Sequence, residues 1–121
     1  MWVLHGMKIV FMDPASHDAH ASFISHLPHA ISYALANSVM GQEDPRSILL
    51  LAAGGFKDMS RIAKSSPQMW SDIFKQNKSN ILHSIDLFEK ELEKSKRMIQ
   101  EEDWSGLETW MSKATTLHKI L

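Results

Sequence analysis

Three of the four prolines directly follow a residue that can cap the amino end of a helix. These pairs are Asp13-Pro14, Asp44-Pro45 and Ser66-Pro67. Aspartate and serine side chains accept hydrogen bonds from the free N–H groups of a first helical turn, and proline at the first helical position loses nothing because no N–H is needed there. The pairs therefore predict helix starts, in a chain that is helical along most of its length.

Apolar residues recur at helical spacing after each of these starts. We expect helices over about residues 14–41, 45–54, 67–76, 78–102 and 104–120. The last two should form an antiparallel pair across a short turn, with more apolar surface than a small bundle must bury. The apolar stripe of the fourth helix is Ile81, Ile85, Phe88, Leu92 and Ile99, and that of the fifth is Trp104, Leu107, Trp110, Met111, Ala114, Leu117 and Leu121.

One segment, Lys8–Asp13, has the pattern of a β-strand. It contains β-branched and aromatic residues and is bounded by Gly6 and by Asp13-Pro14. No second strand is evident, so we expect this one to pair with another chain or to be the last strand of a sheet whose remainder is missing.

Charge and cysteine content exclude several classes of protein. The formal net charge is -1, so the chain lacks the excess of positive charge that attracts a protein to nucleic acid or to a membrane surface. The chain has no cysteine, which excludes disulfides, thiolate metal sites and a cysteine nucleophile and is compatible with the cytoplasm. The first residues lack the basic region and cleavage site of a signal peptide, and no apolar run approaches the roughly 20 residues of a membrane span.

The fourth proline, Pro28, falls inside a predicted helix, in the stretch Ser25–His29. Its ring crowds the carbonyl of Ile24 and leaves that carbonyl without a helical donor, at a cost of roughly 3 kcal/mol. A bend here would direct His26 and His29, which are three residues apart and share a face, into a cavity. The alternative is a pair of surface histidines on a bent helix.

More histidines lie near the start of the same helix. Asp18 is explained by the helix dipole alone, whereas a cation is disfavoured there, so a neutral His17 could bond a polar ligand or another chain. One zinc site for His17, His20, His26 and His29 is excluded, because the first and last would lie about 18 Å apart on a straight helix. We expect no metal.

A second unusual stretch surrounds Gly54 and Gly55, which are expected to end an apolar helix and to let the backbone approach another group closely. Asp58 and Arg61 are three residues apart and can pair. A guanidinium held in this way suits a bound carboxylate, although a solvated ion pair that caps a turn is equally common. The spacing of Trp70 is more typical of a core residue than of one that stacks on a ligand.

The motifs HD, SHLPH, GGF, DxxRIA and PxMWxDI occur in this order, within VFMDPASHDAHASFISHLPHAISYAL and AAGGFKDMSRIAKSSPQMWSDIFKQN. From about Trp2 to its end, the chain resembles the C-terminal helical domain of prephenate dehydrogenase. The resemblance implies an all-α fold, a helical bundle dimerisation domain of the 6-phosphogluconate dehydrogenase C-terminal-like type. Residues 14–121 would form this dimerisation and substrate-binding domain, and residues 1–13 would be the last strand of an N-terminal Rossmann domain.

The resemblance also implies the activity of the full-length protein, the NAD(P)-dependent oxidative decarboxylation of prephenate to 4-hydroxyphenylpyruvate in tyrosine biosynthesis. The absent domain would hold NAD or NADP and the catalytic residue, so this chain alone would bind no cofactor and be inactive. Expected partners are a second copy in a homodimer, prephenate and tyrosine, with no nucleic acid and no membrane. Two alternatives stay open: an arogenate or cyclohexadienyl dehydrogenase, and a stand-alone tyrosine-binding regulatory module.

Residue by residue, the resemblance assigns Arg61 to a substrate carboxylate, with Asp58 as its acidic partner, and Trp70 to a position at the subunit interface. The implied substrate-site residues are His29, Arg61, Ser25, His26, Asp58 and Trp70. The other matched motif residues are the pair His17 and Asp18 and the turn Gly54-Gly55, where the family's feedback response to tyrosine is affected. No role is assigned to His20, His83 and His118.

Overall fold

The structure of the chain, a computed structural model, describes residues 2–5 and 8–121. Its elements confirm the expected helical fold class. In chain order they are strands β1 (Trp2–His5) and β2 (Lys8–Phe11), helix α1 (Pro14–Ala21), a π-helical turn (Ser22–His26), helices α2 (Leu27–Met40), α3 (Pro45–Leu49) and α4 (Gly54–Ser60), a 3-10 turn (Arg61–Lys64), helices α5 (Pro67–Gln76), α6 (Lys78–Gln100) and α7 (Trp104–Thr115), and a last 3-10 turn (Thr116–Lys119).

The predicted strand is present as β2, but the expectation that it has no partner in this chain is wrong. It pairs antiparallel with β1, in a register that sets Trp2 opposite Phe11. Two residues separate the strands, so the pairing is local. Both strands are four residues long, but only β2 has turn residues on both sides, Gly6 and Asp13-Pro14, which made its pattern recognisable. The rings of Trp2 and Phe11 meet edge to face, with centroids 5.5 Å apart, which supports this register.

The predicted capping residues are confirmed for two helices. Asp44 accepts hydrogen bonds from the Ser47 N–H at 3.4 Å and from the Ser47 hydroxyl at 2.6 Å. Ser66 Oγ accepts from the Met69 N–H at 3.3 Å. The first residues of α1, α3 and α5 are the expected prolines, Pro14, Pro45 and Pro67.

The expected role of Gly54 and Gly55 at the end of a helix is wrong. Helix α3 ends at Leu49, and the two glycines are the first residues of α4. The apolar run continues past Leu49, but Leu50 and Leu51 are 85% and 86% exposed, so no buried face extends the helix. A Cβ on either glycine would meet nothing within 4 Å, so no close approach of another part of the described chain requires glycine here.

The sequence predicts a bend at Pro28, between His26 and His29; the irregularity that the structure shows is a π-helical turn just before it, Ser22–His26. The Leu27 N–H donates to the carbonyl of Ser22, five residues back instead of four. Since Pro28 has no N–H for the Ile24 carbonyl, the regular four-residue ladder cannot run through this part of the helix. One extra residue in the turn interrupts the long helix predicted over residues 14–41.

The chain divides into two compact units. One contains the residues up to Asp13 together with Asp86–Leu121, and the other is Pro14–Ile85. In Pro14–Ile85, helix α2 is central, since α3, α4 and the Arg61–Lys64 turn all pack against it. The other unit contains the β-hairpin, the second half of α6 and α7.

The interior of Pro14–Ile85 is made largely of small side chains. The most buried residues of the described chain are Ser22, Ser32 and Ser84. The Ser84 hydroxyl lies 3.2 Å from the carbonyl oxygen of Ser22 and also donates to Ile81 within its own helix. Small residues at this contact let α6 and the π-helical turn approach each other closely.

The apolar stripes of α6 and α7 are only partly covered. In their unit, the Trp110 indole N–H donates to Glu91 at 2.7 Å and so joins α7 to α6. Several stripe residues nevertheless present about half of their surface to solvent, among them Leu92, Ile99, Trp104, Met111 and Leu117. In the part of the chain that the structure describes, no helix has the length and hydropathy needed to cross a lipid bilayer.

Replacement of Ser84 by leucine tests the close contact of α6 with the π-helical turn. Because Ser84 is 0% exposed, a larger side chain must push the two elements apart, and we expect Ser84→Leu to lower the free energy of unfolding by about 1–3 kcal/mol or more. Urea unfolding measures this change. Ser79→Leu, at an exposed position of the same helix, is the control, and equal losses in both variants would contradict the contact.

Candidate functional site

Two of the predicted site histidines converge on a buried tryptophan. Trp70 is 7% exposed, and the ring of His29 stacks on its indole at a centroid distance of 3.4 Å and an interplanar angle of 18°. His26 meets Trp70 edge to face at 6.0 Å, and Phe74, one turn further along α5, lies 5.7 Å from it. We refer to His26, His29, Trp70 and Phe74 as the Trp70 cluster, which confirms that the two histidines share a face.

The hydrogen bond of His29 fixes the position of its proton. Its Nδ1 lies 2.9 Å from the carbonyl oxygen of Ser25, and a carbonyl only accepts, so Nδ1 is the donor. The other ring nitrogen, Nε2, is left for a different partner. Ser25 therefore contributes to the site through its backbone.

His26 is held by a residue that the sequence analysis did not single out. Asn77, between α5 and α6, places its amide nitrogen 3.2 Å from His26 Nδ1. The same nitrogen donates to the carbonyl oxygen of Asp18 at 2.8 Å, and the amide oxygen accepts from Asn80 at 2.8 Å. One amide thus links α1, the π-helical turn and the α5–α6 junction.

Burial lowers the pKa of His26 below its usual 6.5. Among its charged neighbours, Asp18 raises the pKa, whereas His29 and His17 lower it, and burial is the largest of these effects. His26 is therefore mainly neutral at neutral pH.

The predicted pair His17 and Asp18 lies beside the cluster. His17 Nδ1 is 3.5 Å from an Asp18 carboxylate oxygen, yet this nitrogen is buried and makes no hydrogen bond within the described residues. The distance allows an ionic contact, and the geometry does not meet hydrogen-bond criteria. Asp18 joins the network through its backbone carbonyl, by way of Asn77.

Arg61 and Asp58 are both exposed and do not form the expected ion pair. Across residues 2–5 and 8–121, lysine–carboxylate ion pairs are formed by other groups: Lys90 with Asp86 and Lys94 with Glu91. Arg61 begins the 3-10 turn that packs on α2, and the Tyr33 hydroxyl anchors the end of that turn with a 2.9 Å hydrogen bond to the Ser65 carbonyl. The guanidinium thus stands on a fixed turn without an acidic partner among the described residues.

The indole N–H of Trp70 is buried and has no hydrogen-bond partner within the described residues. An unpaired buried donor is costly, so a water molecule or a ligand that accepts from it gains the corresponding free energy. This N–H and the Nε2 atoms of His26 and His29 are the polar atoms of the cluster that make no hydrogen bond with the described residues.

An apolar cavity of about 290 Å³ lies elsewhere in Pro14–Ile85, beside Gly54. It contains none of the predicted substrate-site residues. Its lining is Val39, Ile48, Leu49, Leu51, Ala52, Ala53 and Phe56. In the described ranges, no three histidine, aspartate or glutamate side chains are placed to hold a metal ion.

Comparison with known proteins finds a matching family and a relative that carry the same name, prephenate dehydrogenase. The family described as "Prephenate dehydrogenase, dimerization domain" matches residues 13–113. Prephenate dehydrogenase of Bacillus subtilis strain 168 is 39% identical over 99 residues, which are 81% of this chain and 27% of that protein. The chain therefore spans about a quarter of the length of this relative.

Two solved structures are similar over nearly the whole chain. The crystal structure of prephenate dehydrogenase from A. aeolicus, in complex with hydroxyphenyl propionate and NAD+, matches with a TM-score of 0.82 and 37% identity, and covers 91% of this chain and 39% of that one. Arogenate dehydrogenase from Synechocystis matches with a TM-score of 0.85 and 29% identity, and covers 94% of this chain and 42% of that one.

The lowered pKa of His26 predicts a pH dependence of stability. The unfolded chain binds a proton at this residue more readily than the folded chain, so stability falls as the pH drops below about 6.5. We expect the loss in unfolding free energy between roughly pH 8 and pH 5.5 to be smaller in His26→Gln than in the unmodified chain. Urea unfolding at both pH values measures it, and equal losses in the two proteins would contradict the prediction.

Proposed function

The chain belongs to the prephenate dehydrogenase family, whose dimerization domain it matches over residues 13–113, and on this premise we propose that the full-length protein is a prephenate dehydrogenase. It would oxidise prephenate to 4-hydroxyphenylpyruvate and CO2 in tyrosine biosynthesis, with the hydride passing to the nicotinamide of NAD or NADP. The observation that carries the proposal is the family match together with the Trp70 cluster, in which the motif histidines meet.

We further propose which part of that protein binds the substrate and which part binds the cofactor. Residues 14–121 would form the dimerisation and substrate-binding domain, and residues 1–13 would be the end of a Rossmann domain that holds the cofactor. The A. aeolicus relative, crystallised with NAD+, is more than twice as long as the matched segment, which leaves room for such a domain. A cytoplasmic location would follow from this biosynthetic role.

The substrate site would combine the Trp70 cluster with Arg61. His29 is partly exposed, and its ring, held flat by stacking on the buried Trp70, would lie against the six-membered ring of prephenate. The exposed Arg61 guanidinium, free of an acidic partner among the described residues, suits a carboxylate. The remaining proposed contributors are Ser25, His26 and Asp58.

The partner surface would be the apolar stripes of α6 and α7, in a homodimer. They are partly exposed in the single chain, and an exposed apolar surface of this extent is typical of an interface. The name of the matched family supports the same assignment.

Arogenate is the second candidate substrate, because the Synechocystis relative is an arogenate dehydrogenase. Turnover of prephenate and of arogenate by the full-length protein, each with NAD and with NADP, tests the proposal. We expect NAD(P)H and CO2 to form together from prephenate. A clear preference for arogenate would overturn the substrate assignment. Turnover of neither, with tyrosine binding to the 121-residue chain, would favour the regulatory module.

The proposed carboxylate contact of Arg61 predicts a substrate-binding defect. In the full-length protein, we expect Arg61→Ala to raise the KM for prephenate at least roughly tenfold, because a charged hydrogen bond is lost. Steady-state kinetics measure the change. Arg46→Ala removes another arginine, on α3, and should leave the KM unchanged; equal effects of the two substitutions would exclude a specific role for Arg61.

The proposed dimer predicts a defined response to a charge on the α7 stripe. We expect the 121-residue chain to sediment as a dimer at micromolar concentration, and Met111→Glu to dissociate it by burying an unpaired carboxylate. Gln100→Glu adds the same charge to an exposed polar position of α6 and should leave the dimer intact. A monomeric unmodified chain at high micromolar concentration would contradict the dimer.

A further inference from the structure

The orientation of the Asn77 amide is determined by its partners. Its nitrogen faces the carbonyl oxygen of Asp18, which only accepts, and its oxygen faces the amide nitrogen of Asn80, which only donates. Rotation of the amide by half a turn would set its oxygen 2.8 Å from the Asp18 carbonyl oxygen, acceptor against acceptor. The nitrogen, with its two hydrogens, therefore points to both Asp18 and His26.

This orientation has a consequence for His26. Because the Asn77 nitrogen donates, His26 Nδ1 must accept and cannot carry a proton. A neutral His26 then has its proton on Nε2. Protonation of Nδ1 would place two donors 3.2 Å apart, which disfavours the imidazolium form.

We propose that Asn77 is a positioning residue that holds His26 in its neutral Nε2–H form, so that His26 offers a ligand a hydrogen-bond donor without a positive charge. His29 has the opposite arrangement, since its proton is held on Nδ1 by the Ser25 carbonyl. Its Nε2 then offers a lone pair when the ring is neutral. The two imidazoles against Trp70 thus present one donor and one acceptor.

The surroundings of His26 support the assignment. Of the charged and titratable groups that act on it, Asp18 favours the cation, while His29 and His17 oppose it. Trp70 and Asn77, the groups that reach it from α5 and from the α5–α6 junction, carry no charge. Burial and the Asn77 donor therefore act in the same direction, toward the neutral ring.

The ligand half of this inference rests on the proposed function, whereas the tautomer itself does not. Nitrogen NMR of the 15N-histidine-labelled 121-residue chain, without substrate, reads the protonation of each ring nitrogen. The His26 signals are identified by their loss in His26→Gln. We expect the Nε2–H pattern at neutral pH, and a signal for Nδ1–H or for the cation would overturn the proposal.

Two variants distinguish a specific role of Asn77 from a merely structural one. Asn77→Asp replaces the donor by an acceptor of the same size, so His26 should shift to the Nδ1–H form and its pKa should rise by about one unit or more. Asn77→Ala removes the donor without an added charge and should yield a mixture of both tautomers. Gln76→Glu adds the same charge at the neighbouring exposed position and should leave the His26 tautomer unchanged.

The possible results separate the two proposals. A His26 pKa and tautomer that respond equally to Asn77→Asp and Gln76→Glu would overturn the role of Asn77. If Asn77→Asp does not fold, the spectrum of the unmodified chain still decides the tautomer. An Nε2–H form in a protein that turns over neither prephenate nor arogenate would contradict the proposed function alone.

Discussion

Across the side chains described by the structure, few apolar ones are buried within the chain itself, so its helices keep apolar surface that a partner can cover. Among the side chains that the structure describes, the buried apolar ones are Trp70 and Ile81, and the most buried residues are serines. Each Leu or Met that moves from solvent to an interior contributes about 1.5–3 kcal/mol. A second chain that covers the exposed apolar residues of α6 and α7 would therefore stabilise the fold. This agrees with a family that is described by its dimerization.

Trp70 links this small interior to the chemistry of the site. Among the side chains that the structure describes, it is one of the two buried apolar residues, and the same indole stacks on His29 and contacts His26. Both imidazoles are thus held by packing on one side and by hydrogen bonds to Ser25 and Asn77 on the other. A site built in this way on helices loses little conformational freedom when a ligand binds.

Local features were predictable from the sequence, and features that depend on distant partners were not. The starts of α3 and α5 follow from Asp44 and Ser66, because a cap acts within one turn. The end of α3 depends on what is buried beyond it, which a local pattern does not contain. The role of Asn77 was not predictable, since its partners Asp18 and His26 are 59 and 51 residues away.

The spacing of Asp58 and Arg61 shows that two residues able to meet do not always form an ion pair. Residues three apart can meet on a helix, but an exposed ion pair gains almost nothing, so spacing alone does not decide whether it forms. The Lys8–Asp13 strand was predicted from its own residues and the turn residues on both sides of it, whereas its equally short partner β1 has a turn residue on one side and was not recognised. Caps and periodicity predicted a mostly helical domain, and the resemblance to a known family added that it is the dimerization domain of the prephenate dehydrogenase family.

The π-helical turn sets the rotational phase between the two halves of the first long helix. In a regular α-helix, the eight residues from Asp18 to His26 leave the two about 80° apart around the axis. One extra residue in the turn removes about 100°, which brings them to within roughly 20° of each other, so a single amide can reach both. A sequence with the same residues at the same spacing, folded here as a regular α-helix without the π-helical turn, would preserve the composition of this site and lose its alignment.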